Sequence, residues 1–253
     1  MDLKLQRIDA LAAELKALRP LNETEKRRLM EEFVVNNTYD SNAIEGNSLT
    51  LRETALILQQ GITIGEKPLR DHLEAIGHRD AFAYIEDVCS RSEPLSKRII
   101  KEIHSLVLMN DAANRGIYRS VPVTIVGAAH TPPQPYVIDL QVDILLADYA
   151  DMLKAEHIIE AVAKFHLRFE GIHPFIDGNG RTGRLIMNFE LMKAGLLPVN
   201  IKYADRRAYY TCFDEYYATG GSPKLFVEMI ANYEEAELQR YIEILRGERV
   251  NRL

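Results

Sequence analysis

The chain has 253 residues, 47% of them hydrophobic and 27% charged, proportions that fit a folded globular protein with one large core or a core plus an added segment. Its formal net charge is −6 and no Lys/Arg-rich run is present, which argues against nucleic acid as the main partner. No apolar run is long enough to suggest a membrane span, the stretch from Met1 to Pro20 lacks the apolar core of a signal peptide, and Cys89 and Cys212 lie far apart without metal-ligand spacing, so a reducing, cytoplasmic setting is expected.

From the N-terminus, Ile8, Leu11, Leu15 and Leu18 recur at helical spacing and Pro20 ends the run, which predicts a helix that packs on the core or on a second copy. Asn22 with Glu25 three residues on predicts a capping box and a helix to about Tyr39. Ser41 to Asn47 reads on composition alone as a helix end, with Gly46 as C-cap and Glu45 a solvated charge. Thr50 with Glu53 is a second capping box, and Gly61 ends its helix. Helical patterns follow over Leu69–Val88, with Leu73, Ile76, Ala81, Phe82 and Ile85 inward, and over Ser96–Leu108, with Ile99, Ile103, Leu106 and Val107 inward.

Val121–Val126 is the one convincing strand signal, and Pro122 marks it as an edge. A turn-rich stretch with three prolines leads on to Tyr136-Val137-Ile138, which predicts a short two-stranded flap over 121–138. Such an edge either accepts a peptide strand from a partner or is merely structural. Asp139–Lys154, Glu156–Glu170 and Arg181–Ala194 are helical, the last with Leu185, Ile186, Phe189 and Met192 as its buried stripe. From Asp205 the pattern is helical again, with Tyr209, Tyr210, Phe213, Tyr216 and Tyr217 crowded together as core or as one wall beside a nucleotide base. The expected fold is all-α with one small β-hairpin flap.

The chemistry concentrates in His173-Pro174-Phe175-Ile176-Asp177-Gly178-Asn179-Gly180-Arg181-Thr182-Gly183-Arg184. A glycine-rich turn that opens a helix presents several backbone N–H groups to one point with the helix dipole behind them, an arrangement that binds phosphate. Arg181 and Arg184 stand on one helical face and can grip the same anion. Asp177 is a hard oxygen ligand suited to Mg²⁺, and His173 is the side chain able to take a proton near neutrality. Each element alone is commonplace; in this order they describe a nucleotide held by its phosphates with a base beside it.

This stretch resembles the signature of the Fic family, His-x-Phe-x-(Asp/Glu)-Gly-Asn-Gly-Arg-x-x-Arg, with every specified position filled. The lead-in Phe169-Glu170-Gly171-Ile172 and Gly116-x-Tyr118-Arg119 upstream look like the same family. The resemblance implies a helical Fic fold that transfers AMP from ATP to a Ser, Thr or Tyr hydroxyl of a target protein. On that resemblance His173 would be the general base and Asp177 would hold Mg²⁺. The turn at Gly178, Asn179 and Gly180, with the Asn179 side chain, would stabilise the transferring phosphoryl group, and Arg181 and Arg184 would hold the distal phosphates. Tyr210 would border the base. Ser41-x-x-x-Glu45-Gly46 matches the family's inhibitory motif, so Glu45 would pair with Arg184 in place of the γ-phosphate; in some relatives such a glutamate also supports AMP removal. The target would dock on the flap, and family habit together with the amphipathic first helix leaves room for a homodimer. We divide the chain into an N-terminal helical region, 1–90, that carries the inhibitory motif, and a catalytic core with C-terminal helices, 91–253.

Three rivals are weaker. A metallohydrolase built on His166, Glu170 and His173 has the wrong ligand spacing and leaves the glycine turn without a role. Phosphotransfer, as in the Doc relatives, goes with a different signature. A non-catalytic binding module does not need an intact base, acid and both arginines.

Overall fold

The structure, a computed structural model, describes residues 1–125 and 130–247. Among the described residues the α-helices are α1 (Asp2–Ala17), α2 (Glu23–Ile44), α3 (Leu51–Gln60), α4 (Leu69–Ser90), α5 (Lys97–Val107), α6 (Ile138–Ala155), α7 (Ile158–Ile172), α8 (Asn179–Lys193), α9 (Arg206–Ala218) and α10 (Lys224–Arg246). No strand forms among the described residues, and none of their helices is long and apolar enough to cross a membrane.

Local capping signals fix the starts of α2, α3 and α5. Asn22 Oδ1 accepts from the Glu25 N–H at 2.9 Å while Glu25 Oε2 accepts from the Asn22 N–H at 2.8 Å, so both boxed donors at the start of α2 are satisfied. Thr50 and Glu53 do the same for α3. Ser96 caps α5. The stripe on α1 packs within the chain on α10, with Ile8 fully buried, Leu11, Leu15 and Leu18 partly buried, and Arg7 paired with Glu235 at 2.7 Å.

At the centre is α8, packed by α4, α5 and α7 and touched by the end of α2. Nearly every residue from Asn179 to Leu191 is buried, polar ones included, which is why its apolar stripe alone understates its depth. Phe169, Phe175, Leu185, Ile186 and Phe189 are completely buried around it. Burying such side chains is worth roughly 1.5–3 kcal/mol each, and this packing holds the glycine turn at the N-terminus of α8 in place.

Two expectations are corrected. The hairpin flap is not formed among the described residues: 121–125 carries no strand, 126–129 lie outside those residues, and the second arm is a 3₁₀ turn, Pro135–Val137, that runs into α6. Pro132, Pro133 and Pro135 lack the N–H groups a ladder needs, and Pro135 stands at the first position of the turn, where its fixed φ suits a helical start. The inward face of α4 also differs at its N-terminal half. Asp71, Glu74 and His78 are buried where Leu73 and Ile76 had been placed, because this half faces the turn at α8 and the end of α2 rather than the apolar core.

Candidate active site

Four elements converge on one cavity of about 430 Å³, within the usual range for small-molecule sites. Glu45 closes α2, Glu170, Gly171 and His173 come from the end of α7, Gly180 and Arg184 from the start of α8, and Tyr209, Tyr210, Phe213 and Tyr217 from α9. Ile125 and His130 approach from the connection between α5 and α6. A roomier groove lies between α2, α3 and α4 at Met30, Val34, Leu58 and Ala83, but its charged lining, such as Lys26, Glu31 and Arg79, includes none of the signature residues, so the smaller cavity is the chemical site.

His173 caps α7 in the left-handed region (φ 49°, ψ 60°), a conformation that costs a non-glycine residue about 1–3 kcal/mol and persists only when its surroundings impose it. Its Nδ1 lies 3.3 Å from the Glu170 carbonyl oxygen, which can only accept; Nδ1 therefore carries the proton and Nε2 keeps the lone pair. Burial, with the Arg119 cation adding to it, pulls the imidazole pKa below its usual value, so the ring is a neutral base at pH 7.

The turn from Pro174 to Gly180 is tied down from within. The Asn179 amide accepts from the Phe175 N–H and donates to the Phe175 carbonyl, both at 2.9 Å, so both ends of the side chain are engaged in closing the loop and its backbone is what faces the turn. Phe175 stacks on His104 at 3.6 Å between ring centroids. His104 donates from Nε2 to the Asp177 carbonyl at 2.9 Å and accepts the Gly116 N–H at Nδ1; burial lowers its pKa to about 4 and keeps it neutral. Gly178 at φ +76° supplies the left-handed cap that opens α8.

Asp177 is mostly exposed at its carboxylate, accepting from the Gly178 N–H at 2.6 Å and pairing with Arg181 at 3.2 Å. Among the described residues no three His, Cys, Asp or Glu side chains gather as a metal site, which removes the His166–Glu170–His173 alternative. A single exposed carboxylate suits a divalent ion whose remaining ligands are phosphate oxygens and water.

Arg184 is the most closely held side chain here. It donates from Nε to Ser41 Oγ at 3.0 Å, from Nη2 to the Ser41 carbonyl at 2.9 Å and to Glu45 Oε1 at 2.8 Å, and from Nη1 to the Tyr209 hydroxyl at 3.4 Å. The Glu45 carboxylate lies over the first turn of α8: a β-carbon on Gly180 would stand 2.3 Å from its Oε1. A carboxylate therefore occupies the spot where the helix N-terminus and Arg184 together favour an anion. Arg181, equally buried, faces Glu74 at 3.2 Å. Tyr210 is half exposed on the cavity wall, its hydroxyl donating to the Ile44 carbonyl at 3.2 Å.

Several residues at the site take places that the sequence did not assign them: His166 and Glu170 stood there only as candidate metal ligands or family flank, and Glu74 not at all. His166 accepts from the Tyr209 hydroxyl at 2.8 Å behind Arg184, and burial drives its pKa down to about 3. Glu170 is largely enclosed beside His173, with 13% of its side chain exposed and its Oε2 4.0 Å from Nδ1; desolvation first and the Glu45 charge second push its pKa up to about 8, so it is a neutral acid at pH 7. Glu74 sits behind Arg181. Polar residues interrupting the apolar stripes of α4 and α7 were the available trace of them.

The whole arrangement is an α-helical anion cradle with a neutral base at its rim and an internal carboxylate in the anion position. Residues 94–191 match the model of the Fic/DOC family. The chain is 34% identical over 229 residues to the protein adenylyltransferase Fic of Nematostella vectensis, covering 88% of this chain and 52% of that protein. It is 34% identical over 235 residues to the protein adenylyltransferase fic-1 of Caenorhabditis elegans, covering 89% and 44%. Among solved structures, a Fic domain containing signaling protein from Bacteroides thetaiotaomicron superposes with a TM-score of 0.88 at 28% identity over 97% of this chain and 99% of that one. A fragment of C. elegans Fic-1 does so with a TM-score of 0.82 at 32% identity over 96% and 72%. The chain belongs to the Fic family. It spans about half the length of the curated relatives it matches.

Proposed function

We propose that this protein is a self-inhibited protein adenylyltransferase. The observation that carries the proposal is the Glu45 carboxylate held by Arg184 at 2.8 Å over the N-terminus of α8, beside a neutral His173. ATP enters the cavity with its triphosphate on the first turn of α8, and its adenine lies toward the α9 wall near Tyr210. A Ser, Thr or Tyr hydroxyl of the target, presented along 121–138, loses its proton to His173 Nε2 as its oxygen bonds to the α-phosphorus. The bond from that phosphorus to the β-phosphate bridging oxygen breaks, and pyrophosphate leaves. Arg181 and Arg184 hold the distal phosphates and the charge of the leaving group. Asp177 would hold Mg²⁺, which supplies charge neutralisation on the phosphates. Transfer needs positioning and charge stabilisation, and these residues provide both.

Glu45 is the brake. While it holds Arg184 the γ-phosphate has no site, and its charge repels the triphosphate. Two free thiols, Cys89 and Cys212, accord with a reducing compartment, where we place the protein.

The test compares wild type, Glu45→Gly and Glu45→Gly/His173→Ala with ATP labelled at the α-phosphate, Mg²⁺ and total cell protein. Label is expected to appear on protein with Glu45→Gly and vanish in the double variant, and mass spectrometry should find added AMP. Equal labelling by wild type and Glu45→Gly would remove the brake from the proposal. An added phosphate instead of AMP would replace the reaction with the phosphotransfer of Doc relatives.

A further inference from the structure

Arg119 is 95% buried (5% exposed), and among the described residues no carboxylate pairs with it. Every acceptor of its guanidinium is a backbone carbonyl. Nε donates to the His173 oxygen at 2.8 Å, and Nη2 to the Pro133 oxygen at 2.6 Å and, more weakly, to the Ile172 oxygen at 3.4 Å. Nη1 donates to the Val121 oxygen at 2.9 Å. Its own N–H donates to the Pro174 oxygen at 2.9 Å. The acceptors fall into two groups. Ile172, His173 and Pro174 form the end of α7 and the turn that follows, where carbonyls have no partner within the helix and a cation suits the helix dipole. Val121 and Pro133 both lie in the stretch 121–138, between α5 and α6, on which the target is proposed to lie.

We infer that Arg119 is a positioning residue that fixes the distance between the base and the target-bearing segment by holding the His173 carbonyl and the Val121 and Pro133 carbonyls of that segment in one rigid fork. The inference rests on the reading of the site as an AMP transferase. The planar guanidinium can aim separate N–H groups at two segments at once, whereas an ammonium on a flexible stem holds no such angle. Arg119 also imposes part of the left-handed conformation of His173, since the carbonyls on either side of that residue's Cα, those of Ile172 and His173, are both among its acceptors. None of the guanidinium contacts reaches Gly178, Asn179, Gly180 or Arg184, and the backbone contact to Pro174 survives a side-chain change, so nucleotide binding and group transfer should separate when the Arg119 side chain changes.

The test uses the full chain with Glu45→Gly as parent and adds Arg119→Lys, which keeps the charge and loses the fork, and Arg119→Gln, which loses the charge. With ATP labelled at the α-phosphate and total cell protein as acceptor, transfer by Arg119→Lys is expected to fall about 10- to 100-fold at saturating ATP, as misplacement near 1 Å can do. Affinity for a fluorescent ATP analogue should stay within about twofold of the parent, a bound set by the absence of any contact to the cradle. His173 itself gives a second readout that needs no activity. Its imidazole, followed by NMR, should titrate at higher pH in Arg119→Gln, because a nearby cation that opposes protonation is gone, and should be unmoved in Arg119→Lys. Transfer by Arg119→Lys within twofold of the parent, or nucleotide affinity lost in step with transfer, overturns the inference. An unshifted His173 in Arg119→Gln overturns it as well. If the parent itself transfers no AMP, the proposed function fails while the His173 titration still decides whether Arg119 acts on the base.

Discussion

Arg181 and Arg184 stand three residues apart on one helix, both about 98% buried as whole residues and each facing a carboxylate, yet the two carboxylates differ in whether they can leave. Glu74 is 3% exposed at its side chain, sits within α4 and also accepts from Arg70 Nε and Asn47 Nδ2, both at 2.9 Å. Glu45 is 34% exposed at its side chain, terminates α2 next to Gly46, and among the described residues its carboxylate accepts from Arg184 alone. Two ion pairs of equal formal charge therefore have different purposes. One is a buried strut, because removing it strands a charge; the other is a plug, because water or a phosphate oxygen can take its place. Surroundings decide which carboxylate can be displaced.

The largest expected effect tests the strut. Glu74→Ala takes from the buried Arg181 its buried counter-charge, leaving only the largely exposed Asp177, and removes the acceptor of Arg70 Nε; breaking a buried pair from one side costs about 3–5 kcal/mol. In a chain of this size that lowers Tm by roughly 10 °C. Thermal unfolding checks it, and labelled-ATP transfer should not rise. A Glu74→Ala protein that keeps its Tm and gains activity would make both carboxylates brakes and dissolve the distinction.

Next comes the plug. Glu45→Gly removes a charge-assisted hydrogen bond of roughly 1.5–3 kcal/mol that competes with the γ-phosphate, so transfer at low ATP should rise about 10- to 100-fold. Stability should change by no more than about 1 kcal/mol, as is usual for a partly exposed pair. Ser41→Ala sharpens the same side of the comparison with a smaller effect. It deletes the hydroxyl that fixes Arg184 Nε at 3.0 Å and leaves the Ser41 carbonyl contact in place. A loss of about 1 kcal/mol of brake binding predicts roughly a fivefold rise in transfer, measured in the same assay. No rise would mean that the hydroxyl serves the folding of α2 and not the brake.

The difference between plug and strut also explains what was legible in the sequence. The cradle could be read because its chemistry is contiguous: base, carboxylate, glycine turn and two arginines lie within one local stretch whose hydrogen bonds close on themselves, as Asn179 does on Phe175. Glu45 could be read only as part of a motif, since on composition it is one more charge at a helix end. Glu74 and Arg119 were not legible as site residues. Their partners in the signature stretch, Arg181 and His173, are 107 and 54 positions away, respectively, and neither Arg70 four residues before Glu74 nor Val121 two residues after Arg119 marks them as part of a site. The flap failed for a related reason. Alternating apolar residues at 121–126 satisfy the strand pattern, but prolines on the opposing side remove the donors a ladder requires. Pattern reports what a segment prefers; pairing depends on what stands opposite.

Glu170 gives the smallest and most discriminating prediction, because it senses both halves of the plug. Burial and the Glu45 charge raise its pKa to about 8, and Arg184 works in the opposite direction. The folded pKa lies above that of the unfolded chain, so the folded state retains a proton that the unfolded state releases. The resulting stability is fully present below the unfolded value near 4.5 and is lost as pH rises through about 8. Tm followed from pH 6 to 9 (our choice of roughly the window around that value) should therefore fall, and Glu170→Gln, which cannot ionise, should fall less. Glu234, also raised to about 8 by burial, keeps the slope from vanishing. Glu45→Gly removes the anion facing Glu170, lowers its pKa and moves the alkaline loss to lower pH, with a smaller total loss. If Glu45→Gly leaves the pH dependence of Tm unchanged while Glu170→Gln flattens it, the Glu45 carboxylate does not reside beside Glu170 in solution. The plug would then spend its time out of the cavity rather than on Arg184.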